Sequence, residues 1–184
     1  LATKYFGRVL PDTPVKDATG AVVDYTIPDL SDVDLVLMSL RSPDNGDNVT
    51  GAGMNKDGTF YPLSLQWRPY TADGPHVRRT SIAGDLRSDG TQENRSYFGE
   101  TSRIANESAL DAFERAVSAV EASGKDIPVV TVLKAKNPTV PTEFEAASDA
   151  ILVGFGISAQ ALIEVALGLH EPQGSPPIAF PASM

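Results

Sequence analysis

The chain has 184 residues, 41% hydrophobic and 21% charged, with 24 Asp plus Glu against 15 Lys plus Arg and a formal net charge of −9. At 19.5 kDa it has the size of one domain, at most one and a fraction, and its composition is that of a chain able to bury a core. The acidic balance, with a pI near 4.6, argues against nucleic acid, whose phosphates need clustered cations, and against anionic lipid; a mean hydropathy of −0.12 without a long charge-free apolar run excludes a membrane-spanning helix.

Cysteine is absent, so disulfides, thiolate nucleophiles and thiolate metal sites are excluded, while both the cytoplasm and secretion stay open. Two histidines rule out a three-His zinc site, and no HExxH pair occurs, so neither metal nor cofactor is expected. The opening Leu1-Ala2-Thr3-Lys4-Tyr5 lacks an initiator Met and any signal-peptide pattern, as in a processed or excised piece of a longer protein.

Residues 1–32 are rich in Pro, Asp, Thr and Gly around one strand-like stretch, Ala21 to Ile27, and read as a connecting or edge segment. Asp34 to Leu40 holds a short apolar run expected of a strand buried on both faces. Arg41 to Thr59 shows no periodicity and reads as a long loop, Tyr61 to Trp67 alternates like a strand, and Arg68 to Thr101 is polar and irregular. Beyond it the pattern becomes regular. Asn106 or Ser108 can cap a helix with Leu110, Phe113, Val117 and Val120 on its apolar face, and Gly124 supplies the stop. Ile127 to Leu133 predicts a buried strand, Pro141 to Ala147 a short helix, Asp149 to Gly154 a strand and Ser158 to Leu169 a helix, with an extended strand at Ile178 to Phe180. Alternating strands and helices predict an α/β fold, a mostly parallel sheet with helices on both faces in a three-layer sandwich, with long loops in the first half.

Three patterns could carry chemistry. Gly154-Phe-Gly156-Ile-Ser-Ala159 has the G-x-G-x-x-A form of a dinucleotide site, yet it stands too near the tail for the acid that should follow about 20 residues on, and a tight strand-to-helix turn explains it as well. The loop acids Asp44, Asp47, Asp57, Asp73, Asp85, Asp89, Glu93 and Glu100 include enough carboxylates for glycoside hydrolysis, which needs one group to donate a proton and another to attack; most loop acids are simply solvated. Tyr61, Trp67, Arg68, Tyr70, Tyr97 and Phe98 suit sugar rings and hydroxyls, and equally suit packing. His76 and His170 stand alone, and the sequons at Asn48, Asn94 and Asn106 are short enough to arise by chance.

From Val129 onward the order of motifs becomes specific. Val129-Val-Thr-Val-Leu-Lys-Ala-Lys-Asn-Pro138, Ser148-Asp-Ala-Ile-Leu152, Ala161-Leu-Ile-Glu-Val-Ala-Leu-Gly168 and Glu171-Pro-Gln-Gly-Ser-Pro-Pro-Ile-Ala-Phe-Pro181 together resemble the C-terminal α/β sandwich domain of family 3 glycoside hydrolases, the β-glucosidase and β-xylosidase family. The resemblance spans residues 33–184, closest in the tail and looser in the loops, and leaves out the connecting or edge segment 1–32. Many members carry Pro-Gly-x-x-Gly-Gly where this chain has Gly154-Phe-Gly-Ile-Ser-Ala-Gln160. The family's nucleophilic Asp stands on an N-terminal barrel domain, which these residues do not encode, and the C-terminal domain supplies the proton donor. The resemblance implies Glu93, ahead of Arg95-Ser96, as that acid/base, with Asp44 and Asp73 as alternatives, and Trp67, Arg68 and Tyr70 as substrate-binding residues. It implies as partners a β-linked oligosaccharide or aryl β-glycoside and the barrel domain. A non-catalytic carbohydrate-binding module and a dinucleotide-binding domain are the alternatives.

Overall fold

A computed structural model of the chain describes residues 10, 12–44, 62 and 64–184. These residues group into two compact units, one of residues 1–42 and 108–183, the other of 43–107 with Met184. The second unit is therefore an insertion in the chain of the first.

The first unit is α/β, built on a parallel sheet of three strands in the order β3 (Val36–Arg41), β4 (Val129–Lys134), β5 (Ala150–Gly154). Val36 pairs with Val129 and Val130 with Ala150, and both ladders run in register without a bulge. β4 lies in the middle, and Val129 to Leu133 are all buried, as a β-branched run needs when both faces are covered. The two residues before β5 fasten it to β4: Asp149 Oδ2 accepts from the Val129 amide at 2.7 Å, and the Ser148 and Thr131 hydroxyls meet at 2.7 Å. The polar ends of an otherwise apolar strand thus have partners, and a buried Thr131 costs nothing unsatisfied.

Helix α1 (Ser108–Ser123) links β3 to β4 and buries Leu110 and Phe113, with Val117 and Val120 half-buried on the predicted face. It stops at Gly124, whose φ of +66° is the left-handed conformation that ends helices at low cost in glycine. Helix α2 (Ala159–Ala166) follows β5, and the Ser158 hydroxyl accepts from the Ala161 amide to cap it. It ends three residues short of Leu169, at a turn containing Gly168, so Leu162 is its buried anchor and Leu169 is exposed. The predicted helix at Pro141 to Ala147 is two single 3₁₀ turns, Pro141–Glu143 and Glu145–Ala147, because one apolar anchor, Phe144, is buried between them.

Other expectations are corrected. β3 does form, but as the edge of the sheet, and only Leu40 within it is buried; a run that reads as doubly covered is covered less fully. Residues 65–68 are bends rather than strand, and Ile178 to Phe180 forms no ladder, although Phe180 packs against Phe155 with ring centroids 6.4 Å apart. Tyr61, Asp47, Asp57, the Asn48 sequon and most of the 41–59 loop lie outside the described residues. The segment read as connecting carries an antiparallel ribbon, β1 (Pro14–Lys16) with β2 (Val22–Tyr25), closed by Asp17, whose carboxylate accepts from the Thr19 and Ala21 amides. No helix among the described residues is long and apolar enough to cross a membrane.

Candidate functional site

All six candidate residues fall in the second unit, where two hydrogen-bonded pieces organise irregular chain. The first piece joins residues 70–72 to 99–102. Ala72 N–H donates to the Glu100 carbonyl at 2.9 Å, Ser102 N–H to the Tyr70 carbonyl at 2.8 Å, and the Tyr70 N–H to the Ser102 hydroxyl at 2.9 Å. Ser102 is buried, and its side chain substitutes for a missing backbone acceptor. The ladder leaves Tyr70 half-buried and Asp73, one residue past it, exposed.

The second piece is a hairpin over 84–95. The Glu93 N–H donates to the Asp85 carbonyl at 3.0 Å and the Arg87 N–H to the Thr91 carbonyl at 2.8 Å around a bridge between Leu86 and Gln92, and the turn is set by Asp89 accepting from the amide and hydroxyl of Thr91. Asp-Gly at 89–90 is the sequence sign of such a turn, since Gly90 takes a φ of +82°. Glu93 Oε2 accepts from the Asp85 amide at 3.1 Å and from Arg95 Nε at 2.7 Å, while Arg95 Nη2 reaches Asp85 Oδ2 at 2.8 Å. Asn94 pins the base by accepting from the Ser81 and Ser96 amides and donating to the Arg79 carbonyl, so the amide of that sequon is already engaged. Arg79 in turn lies 3.8 Å over the Phe98 ring.

The electrostatic consequence is definite. The Asp85 amide and the Arg95 guanidinium hold the Glu93 carboxyl below its ordinary range, whereas a proton donor at neutral pH needs the opposite direction. Here Glu93 is a carboxylate. Because its folded value is depressed, the stabilisation it gives the hairpin is present above the ordinary carboxylate range and fades as pH falls through the lower folded value. An NMR titration followed at the Asp85 amide should place the Glu93 midpoint below 4.5, and Arg95→Ala should move it upward. A midpoint above 4.5 in the unmodified chain would contradict the pairing.

The remaining candidates occupy other settings. Trp67 is wholly buried, so its indole is a core element of this unit rather than an exposed platform for a sugar ring. Arg68 pairs with Glu107 at 3.2 Å, both about one-third exposed, which for a solvated pair contributes little stability but fixes the guanidinium. Asp44 is held by its backbone, donating its amide to Asn106 Oδ1 at 2.8 Å and accepting from the Ala105 amide. The partners of Glu93, namely Asp85 and Arg95, were visible in sequence only as unlinked charges. The Asp-Gly turn between them was the signal that would have joined them.

The Gly154-Phe-Gly156 segment is a strand-to-helix turn. A Cβ on Gly154 would come within 2.8 Å of Leu162 and 2.9 Å of Ile157, and Gly156 takes a φ of +67°, so steric and conformational needs account for both glycines. Among the described residues no group of three or more His, Asp or Glu side chains is placed to hold a metal ion. Compared with protein-family profiles, with curated proteins and with solved structures, the chain matches none.

Proposed function

We propose that this chain is the C-terminal part of a retaining β-glycosidase, acting on a terminal β-linked glucose or xylose together with a barrel domain that carries the nucleophile. The observation that supports the reading is the placement of three of the four resembling stretches: they fall in chain order on β4 and β5, paired in parallel, and on α2. In that reaction a carboxylate on the barrel attacks the anomeric carbon while Glu93 protonates the leaving oxygen, and Glu93 then takes the proton of the attacking water. Glu93 must first lose Arg95, and a second carboxylate about 5 Å away would then raise its pKa by like-charge repulsion. Arg68 and Tyr70 stand as the substrate-side groups.

The test uses the enzyme with both domains present. Glu93→Ala should lower kcat on an alkyl β-glucoside by roughly 10²–10⁴-fold. On a dinitrophenyl β-glucoside, whose leaving group departs without protonation, azide should restore turnover of Glu93→Ala as the β-glucosyl azide, and the chain alone should not hydrolyse a nitrophenyl β-glucoside. Unchanged rates in Glu93→Ala shift the role to Asp44 or Asp73, and full activity of the isolated chain overturns the reading.

The observed Glu93–Arg95 pair also favours a second reading, a non-catalytic sugar-binding module. An ionised carboxylate beside an exposed guanidinium offers acceptor and donor to adjacent sugar hydroxyls without any proton transfer. That module would bind cellobiose as the isolated chain, with amide shifts centred on Asp85, Glu93 and Arg95.

A further inference from the structure

The first unit contains a cavity of about 490 Å³ that neither reading uses. One wall is β3, through Val36 and Met38, and the opposite wall is α1, through Ala112, Ala116 and Ala119. These alanines recur at helical spacing on a side of α1 away from Leu110 and Phe113. Ala119 is buried against Leu30 and Ile127 at one end of this side, while Ala112 and Ala116 are half-buried along the cavity wall. Leu30 and Val33 extend the apolar lining.

One end of the cavity is polar and already ordered. Arg115 grips Asp12 through Nε and Nη2, and its guanidinium carbon lies 3.7 Å over the Tyr25 ring. Two of its N–H donors are thereby used, and among the described residues no other group accepts from the remainder. Asp24 also borders this end, with Oδ1 accepting from the Tyr25 amide at 2.8 Å. Asp12 and Asp24 against Arg115 make the end net negative, which repels an anion, while the other Arg115 N–H groups can donate to a neutral oxygen.

We infer that this cavity is a binding site for a small neutral molecule with an apolar, ring-sized body and one carbonyl or hydroxyl oxygen directed at Arg115. The volume falls in the range of small-molecule sites, and the mix of apolar walls with a few fixed polar atoms is what confers orientation in such sites. Burial of the apolar body supplies the affinity, and the Arg115–Tyr25–Asp12 cluster selects against anionic analogues.

The probe is prodan, a neutral naphthalene bearing one ketone, titrated into the intact chain with anilinonaphthalene sulfonate as its anionic counterpart. Prodan should bind one per chain with blue-shifted emission, and the sulfonate at least tenfold more weakly. Ala116→Leu, which fills the space, should weaken prodan at least tenfold with the circular dichroism spectrum retained. Methyl NMR of the unmodified chain gives an answer independent of that variant's folding: ring-current shifts should concentrate at Ala112, Ala116 and Met38. Absent saturable prodan binding, equal binding of the sulfonate, or shifts located elsewhere would each overturn the inference.

Discussion

Phe113→Ala should cost about 3–5 kcal/mol of stability in the parallel-sheet unit, the range for emptying a fully buried aromatic position. Phe113 and Phe144 are both 1% exposed and meet edge to face, with ring centroids 6.2 Å apart and an interplanar angle of 76°. That contact ties α1 to the 3₁₀ turns leading into β5. Its loss leaves a void that the sheet cannot fill by collapse, since β4 is hydrogen-bonded on both edges. Beyond area burial, the ring pair itself contributes about 0.5–1.5 kcal/mol, so a double-mutant cycle with Phe144→Leu should show coupling of that size. Urea unfolding followed by far-ultraviolet circular dichroism measures both quantities. A destabilisation below 1 kcal/mol would mean that these rings do not anchor the unit. A loss of the expected size is a large fraction of the 5–15 kcal/mol typical of a whole domain.

Gly84→Ala should open the hairpin that carries Glu93. A Cβ at this position would lie 2.2 Å from the Glu93 carbonyl oxygen and 3.1 Å from its carbon, and Gly84 takes a φ of +150°. Both obstacles are backbone, so no side-chain rotation relieves them. The hairpin is exposed and rests on few apolar contacts, so separation of its strands is the cheapest escape. Amide exchange should accelerate at Asp85, Arg87 and Glu93 while β4 amides stay protected, and the Glu93 titration should return toward its ordinary range as the Asp85 amide is withdrawn from the carboxylate. Gly90→Ala is the control: it takes φ +82° but meets open space, so it should cost only the ~1–2 kcal/mol of a left-handed non-glycine residue. Unchanged exchange at Asp85 and Glu93 in Gly84→Ala would refute the close approach.

The parts of the fold legible in sequence are those whose signals are local. Val129 to Leu133 is an apolar β-branched run of strand length, Ser158 begins α2 and caps it through its own side chain, and Gly124 marks the end of α1 by its conformational freedom, whereas Gly168, with a φ of +70°, lies within the run expected to stay helical to Leu169. The stretch near Trp67 misled because alternation of apolar and polar residues also arises where one large ring is buried in irregular chain. The β1–β2 ribbon was read only in part: Val15, Val22 and Val23 are at least 40% exposed, so its strands lack the buried face that periodicity detects. The candidate site was legible as residue types and not as partners. Glu93 and Arg95 are two apart, but Asp85 joins them only through an antiparallel turn ten residues long.

The sequence alone determined that this is an acidic, cysteine-free α/β chain with strands and helices alternating in its last third, because charge, composition and hydrophobic period need no tertiary contacts to be read. Tertiary structure decided which carboxylate meets which guanidinium, that Trp67 is buried, and that an alanine face on α1 opens a cavity beside β3. The reason is physical: a pKa, an exposure and a void each depend on groups brought within a few ångströms by chain segments distant in sequence, and local propensity carries no record of that approach.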